Sequence, residues 1–387
     1  MFINAIFSKS LNFINNLFYK YFNYWYNNYN YEKILEYVPD LTLKIKDKKI
    51  KYNYKYMPLR EVYEDKLVDS ISNICNKLNN KKLIISLSGG IDSMVLTTIL
   101  HYINYEIICV HINYNNRRET RDEEKFLREW CKYNSIKLYV KSINNIKREN
   151  TKRSEYELIT KNLRLDFYKE IMKKEDIDYI LLAHHKDDII ENIVANLCRG
   201  RNYLDLSVIR ERSYINNIIM IRPMLSFYKT DIYKFAHTYN VPYFKDTTPN
   251  WSVRGKYRNI IGPALEDAFS KNIKENLLNI SKQADDWNLL IEQEIIRPFL
   301  SNIVYEINIE KILVTINIEK YIEYPLTFWY IIFADLFNQH GYSSPSKKSI
   351  QVLINSIKEK KNKNFNLCNK CKCAINNYKI VIEFKSI

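Results

Sequence analysis

The sequence predicts an α/β protein, a doubly wound parallel sheet followed by a mainly helical C-terminal domain. Three observations carry that reading. From Lys81 to about Tyr239, short apolar runs alternate with longer amphipathic stretches, the pattern of a parallel sheet covered on both faces. Within it, one apolar run enters a Gly-Gly turn at Gly89-Gly90 and leaves as a helix. After about Phe269 the alternation stops and helical periodicity takes over.

Taken in order, the opening stretch to Tyr31 is rich in Phe, Tyr, Ile and Leu and has no acidic residue and no arginine. It reads as a targeting segment or as a helix that packs on the body. Strands are predicted at 83–87, 107–112, 138–143, 179–183 and 218–221, with helices at 93–102, 119–133, 155–173, 187–199 and 229–239. Such a sheet binds its ligand outside the carboxyl ends of its strands. Beyond it, helices are expected at 275–296, 325–340 and 347–358, the last after a Ser-Ser-Pro-Ser start signal, with a short strand element at 373–384. The expected domains are 1–65, an extension; 66–268, the nucleotide-binding body; and 269–387.

Composition narrows the function. Lys+Arg of 59 against Asp+Glu of 44 leaves a net charge of +15, which favours a polyanionic partner, nucleic acid ahead of a membrane surface. No run of eighteen apolar residues is present, so no membrane span is predicted. Seven cysteines, an odd and scattered set, argue against a secreted disulfide framework and for a reducing compartment. That means cytoplasm, or an organelle matrix if the first segment is a transit peptide. Cys368, Cys371 and Cys373 supply three of the four ligands that a structural zinc site needs, with no fourth close by.

Glycine occurs six times in the chain, and two of the six are adjacent at Gly89-Gly90. A strand, a Gly-Gly turn and a helix N-terminus form a cradle of backbone N–H groups for phosphates. Ser88 and Ser93 add hydroxyls, and Asp92 can place Mg²⁺ against the phosphates. The loop lacks the lysine of a G-x-x-x-x-G-K-[ST] loop and the spacing of G-x-G-x-x-G. Glu157, Lys161 and Arg164 share one helix face, as a solvated ion-pair row would. His184 and His185 end a strand, and Asp187, Asp188 and Glu191 open the next helix. Acidic residues there complement the helix dipole, or form a pocket for an ammonium group or Mg²⁺.

Ser88-Gly89-Gly90-Ile91-Asp92-Ser93 resembles the pyrophosphate-binding motif of the N-type ATP pyrophosphatases, whose fold is Rossmann-like and of the adenine nucleotide alpha hydrolase type. Four further segments resemble the tRNA(Ile)-lysidine synthetase family. They are His111-Ile112-Asn113-Tyr114-Asn115-Asn116-Arg117; the Glu157, Lys161, Arg164 face; His184-His185-Lys186-Asp187-Asp188 with Glu191 and Arg199-Gly200; and Arg222-Pro223, Asp246, Asn250 and Arg258-Asn259. Tyr114 replaces a histidine, Asn192 a threonine, Asn202 and Asp205 two glycines, and Gly262 an arginine of the family pattern.

The resemblance implies that O2 of the wobble cytidine in a CAU-anticodon isoleucine tRNA attacks the α-phosphate of ATP, and that free L-lysine then displaces AMP. It assigns ATP to Ser88, Gly89, Gly90, Ile91, Asp92, Ser93 and His111, with Mg²⁺ on Asp92. Catalysis would fall to Asp92, Arg164, Asp187, Asp188 and Glu191, one of the last three acting as base for the lysine amine. Lys161, His185, Arg199 and Arg258 would bind substrate, and a homodimer is compatible with it. Two alternatives stand beside it: base thiolation with the same ATP chemistry, and a tRNA-binding protein that has lost catalysis.

Overall fold

The computed structural model describes residues 35–37, 65–78, 80–115, 119–143, 153–246, 248, 250–308, 311–359, 364–368, 371–376 and 378–385. The opening segment to Tyr31 and Arg117 lie outside the described residues. The chain divides between Ser281 and Lys282 into two compact units.

In the first unit β1 (Leu35–Tyr37) pairs antiparallel with β8 (Tyr243–Phe244). The main sheet contains β2 (Lys82–Ser86), β3 (Glu106–Asn113), β4 (Lys137–Ser142), β5 (Tyr179–Leu181), β6 (Arg212–Ile215) and β7 (Ile218–Ile221), in the order β4-β3-β2-β5-β7-β6. All pairs are parallel except β6 with β7. The doubly wound sheet is thus as expected, with one strand more. β6 and β7 form a hairpin around Asn216-Asn217, whose φ angles of 49° and 60° suit the two-residue turn that matches strand twist.

The helices of this unit are α1 (Lys66–Asn76), α2 (Ile91–Tyr102), α3 (Thr120–Tyr133), α4 (Arg153–Glu175), α5 (Lys186–Cys198), α6 (Lys229–Thr238), α7 (Val253–Lys256) and α8 (Gly262–Phe269), with a π-helical turn at Tyr257–Ile261. α9 (Ile273–Ile291) follows. Strand alternation explains the layering. Leu83, Ile85, Ile107 and Cys109 point to one face, where they pack with α1, α2, α3 and α6. Ile84, Ile108 and Val110 point to the other and meet Leu165, Tyr168 and Ile171 of α4. Both faces are buried, which is why β2 reads as an unbroken apolar run. Each fully buried aliphatic side chain contributes about 1.5–3 kcal/mol.

The second unit contains α10 (Arg297–Ser301), α11 (Leu326–Gln339) and α12 (Lys347–Lys358). It also holds an antiparallel sheet of β9 (Val304–Ile307), β10 (Lys311–Asn317), β11 (Asn364–Cys368), β12 (Cys371–Asn376) and β13 (Lys379–Lys385), ordered β11-β12-β13-β10-β9. The helices are as expected, but the short strand element is a five-stranded sheet. Trp329, Phe333 and Phe337 of α11 pack on Val314, Ile380, Ile382 and Phe384. Alternation along β12 turns Cys371 and Cys373 into this core, each 1% exposed. Among the described residues no three His, Cys, Asp or Glu side chains form a metal-holding group.

Glu175, at the end of α4, ties two strands of the first unit at their amino ends. Its buried carboxylate lies 2.7 Å from both Lys82 Nζ, the first residue of β2, and Lys137 Nζ, the first of β4, and accepts from the Tyr139 hydroxyl. Those donors, Lys137 foremost, hold its pKa at about 2 against an ordinary 4.5. A lowered folded value stabilises above the unfolded value, and the contribution is lost as pH falls through the folded one. Glu175→Gln is therefore expected to lower the melting temperature at pH 7. The difference from the parent should shrink between pH 4.5 and about 2, as read by thermal scans across that range.

Candidate active site

The strand order reverses between β2 and β5, and the loops leaving those two strands meet. After β2 the chain turns through Leu87, Ser88, Gly89 and Gly90 into α2. Gly89 has φ +87°, in the left-handed region, and a Cβ there would overlap the Phe244 ring. The Gly89 carbonyl also accepts from Phe244 N–H at 2.9 Å. Ser93 Oγ gathers the turn, accepting from Ser88 and Gly89 N–H at 3.2 Å each and donating to the Gly90 carbonyl at 3.0 Å. Ser88 Oγ lies 3.1 Å from Ser93 Oγ. Ile91, the first residue of α2, is buried beneath.

His111, buried in β3, supports the loop from below. Its Nδ1 lies 2.9 Å from the Leu87 carbonyl. Burial lowers its pKa, so the neutral ring donates from Nδ1–H and keeps Nε2 as acceptor. Asn113 pins the segment after β3 through Glu124 at 2.8 Å and Asn115 N–H at 2.9 Å.

After β5, His184 and His185 lead into α5. His185 is 1% exposed and stands among three carboxylates: Asp92 Oδ1 at 3.5 Å, Asp187 Oδ2 at 3.5 Å and Asp188 Oδ2 at 3.6 Å. Burial pulls its pKa down, but Asp187, Asp188 and Asp92 outweigh it and the net shift is upward. His184 is the opposite case. Burial, helped by nearby arginines, drives it to about 4, and Arg222 Nε donates to its Nδ1 at 3.1 Å, which leaves the proton on Nε2.

The carboxylates are held in turn. Burial would raise Asp187, but contact with His185 and the Lys229 N–H at 2.8 Å brings it to about 2. Lys274 Nζ of α9 is 3.5 Å from its other oxygen. Asp188 accepts the His185 backbone N–H at 3.1 Å and lies below the ordinary range despite burial, chiefly through His185 and His184. Glu191, 5% exposed, receives Nε of Arg258 and, at 3.3 Å, a terminal nitrogen of the same guanidinium; Arg254 approaches at 3.6 Å. Arg258 also donates to Asp246 at 3.0 Å.

Of the expected residues, the fold thus brings together Ser88, Gly89, Gly90, Asp92, Ser93, His185, Asp187, Asp188, Glu191 and Arg258, with His111 beneath. Arg164 lies against Tyr114, just past β3, while Tyr168 on the next turn of α4 meets Ser86 Oγ at 2.7 Å. Lys161 is exposed on α4. Arg199 caps the far end of α5, about 20 Å from His185 along a helix of this length, and does not join the cluster.

Sequence reading missed Lys229, whose Nζ is 3.3 Å from Asp92 Oδ2. It also missed Lys274 and the hydrogen-bonded set of Tyr228, Lys186 and Glu275. Lys229 left one local signal: a lysine opening α6 opposes the helix dipole, so a carboxylate partner was called for. The Asp92 Oδ1 atom is buried and makes no hydrogen bond. Mg²⁺ is commonly held by one or two carboxylates plus substrate phosphates, and this oxygen fits such a role.

A family model described as PP-loop domain matches residues 63–266. A tRNA(Ile)-lysidine synthase of Bacteroides thetaiotaomicron is 28% identical over 54% of this chain and 49% of its own length. One of Streptococcus gordonii is 30% identical over 53% and 46%. The chain spans about half the length of the curated relatives it matches. A U34-tRNA thiolase of Methanococcus maripaludis, a solved structure with a [4Fe-4S] cluster, aligns with TM-score 0.48 and 18% identity over 61% of this chain and 82% of that one.

Gly89→Ala is expected to cost about 2–4 kcal/mol from its left-handed backbone and the Phe244 overlap. In a double-mutant cycle with Phe244→Ala, read from urea midpoints, the two costs should combine to about 1–3 kcal/mol less than their sum. Simple additivity would mean that the ring does not confine the loop.

Proposed function

The chain belongs to the PP-loop domain family, and from that membership we propose that it is an ATP-dependent tRNA-modifying ligase. In this reading it adenylates the wobble cytidine of a CAU-anticodon isoleucine tRNA and attaches free lysine to give lysidine, with AMP and pyrophosphate as products. The observation that carries the reading is the meeting, at one switch point, of an anion cradle and an acidic cluster. The Ser88–Ser93 loop suits a pyrophosphate group. The carboxylates Asp187, Asp188 and Glu191 suit a lysine ammonium. Similarity to tRNA(Ile)-lysidine synthases supports a tRNA substrate.

The residues divide the work as follows. The Ser88–Ser93 loop, with the N–H groups that open α2 at Ile91 to Ser93, binds the β- and γ-phosphates, and Lys229, now paired with Asp92, is placed to follow the departing charge. Asp92 holds Mg²⁺, which when bound neutralises phosphate charge. Arg164, oriented by Tyr114, approaches from α4 to offset charge on the α-phosphate. Glu191 is fixed by Arg258 and acts as a positioning carboxylate; Asp187 and Asp188, each within 3.6 Å of His185, receive the lysine ammonium. The target base leaves its stack to reach this point.

Base thiolation is less well supported. Cys109 is buried within β3, and Cys198 stands at the end of α5 remote from His185. Among the described residues no helix is long and apolar enough to cross a membrane.

Two outcomes are expected. Labelled lysine enters a CAU-anticodon isoleucine tRNA transcript only with ATP and Mg²⁺, and Asp92→Ala lowers that rate by about 10²–10³-fold or more with circular dichroism unchanged. Asp187→Asn raises the KM for lysine by about tenfold, the loss of one charged contact. Pyrophosphate release on the transcript without lysine attachment would replace lysine with another nucleophile.

A further inference from the structure

Arginine is unevenly spent in this chain. Sixteen of the 59 basic residues are arginine, none lies beyond Arg297, and four fall within 199–212: Arg199, Arg201, Arg210 and Arg212. Where lysine serves most needs for charge, arginine marks a need for its planar, multi-donor fork. Arg199, Arg201 and Arg212 are exposed, and among the described residues none of the three has a carboxylate partner. Arg128, Arg254, Arg258 and Arg297 each meet one. Two large rings accompany the free guanidinium groups: Tyr203 is 60% exposed and Tyr214 69%.

The segment is built as a fixed lobe. Arg201 N–H bonds to the Asn196 carbonyl at 3.1 Å, and Asn196 Nδ2 to the Leu206 carbonyl at 2.8 Å. Asn192 Nδ2 reaches the Ser207 carbonyl at 3.3 Å, while Leu204 and Leu206 are buried. Buried Arg222 donates to the Arg210 carbonyl at 2.7 Å and Ser213 Oγ at 2.8 Å. Arg212 and Tyr214 stand two apart on β6, an edge strand, and so project to the same side. Val208 is 42% exposed at φ 58°, a costly conformation for a β-branched residue that the lobe nonetheless maintains. The same Arg222 binds His184 of the active site at 3.1 Å, so the lobe and the site share one strut.

We propose that this lobe is an RNA-binding surface. The guanidinium groups of Arg199, Arg201 and Arg212 grip phosphates, and the rings of Tyr203 and Tyr214 stack on unpaired bases of the RNA whose wobble base enters the site. Unpaired arginine forks beside open aromatic faces are the chemistry of single-stranded and loop RNA recognition. The proposal rests on the reading of the site as one that modifies tRNA.

The test uses the full chain, the CAU-anticodon transcript as probe, and phosphatidylglycerol vesicles as the competing anionic surface. Arg201→Gln with Arg212→Gln should raise the transcript Kd by about tenfold or more and flatten the log Kd against log salt slope by about 1.5. Tyr203→Ala should weaken binding about tenfold and Tyr203→Phe hardly at all, since only the ring is required. The KM for ATP should not move. Unchanged transcript binding in the double variant would overturn the surface, as would vesicle binding lost in its place. So would equal effects of Tyr203→Ala and Tyr203→Phe. Lysine attachment is scored separately on the parent chain. A parent that attaches lysine while the variants bind normally removes the surface alone. A parent that binds through these residues yet attaches no lysine removes the activity alone.

Discussion

Everything at the switch point is arranged around an imidazole that has almost no contact with water. His185 lies 1% exposed within 3.6 Å of Asp92, Asp187 and Asp188. A close charge pair is worth on the order of 4 kcal/mol in a partly screened interior before desolvation is subtracted. Three carboxylates around one ring win that contest, and the ring's affinity for its proton rises. The geometry is available because β2 and β5 are neighbours, so the loop after each must leave the sheet at the same edge. One supplies Asp92 from a helix N-terminus, the other supplies the histidine and two aspartates from a second.

Such a concentration of acid would repel itself without cations from elsewhere. Lys229 comes from α6, Lys274 from α9, and Arg254 and Arg258 from the helical segment around Tyr257. The site is therefore a lattice of opposite charges in which Asp92 meets Lys229, Asp187 meets Lys274, and Glu191 meets Arg254 and Arg258. His111 and Phe244 leave the turn little freedom, since one holds the Leu87 carbonyl and the other fills the space a side chain at Gly89 would need. Rigidity beneath and paired charge above thus meet at one edge of the sheet.

The two units spend their side chains differently. The first distributes polar groups toward the carboxyl edge of a parallel sheet and ties its amino edge with Glu175. The second buries an aromatic ladder on α11 against an antiparallel sheet, and its cations from β9 onward are all lysine. Among the described residues, Arg128, Arg254, Arg258 and Arg297 meet carboxylates and Arg222 meets His184.

Local pattern was enough to identify the strand, glycine turn and helix at 82–102, since apolar runs, the scarcity of glycine and a helix start are all features of neighbouring residues. The His-His-x-Asp-Asp segment was legible for the same reason, and so was the layered sheet. The hairpin partner at 212–215 was not legible, because that strand is too short and too polar to stand out by periodicity. The second unit's sheet was hidden because β9 and β10 follow directly on helical sequence, and β10 joins them to β13, a strand some seventy residues away. Charge partners were decided by tertiary structure alone: Lys229 reaches Asp92 across 137 residues and Arg258 reaches Glu191 across 67. Periodicity reports which face a residue occupies, not which distant face is folded against it. The sequence by itself therefore determined the cradle and the acidic helix start, and only the fold decided which cations stand between them.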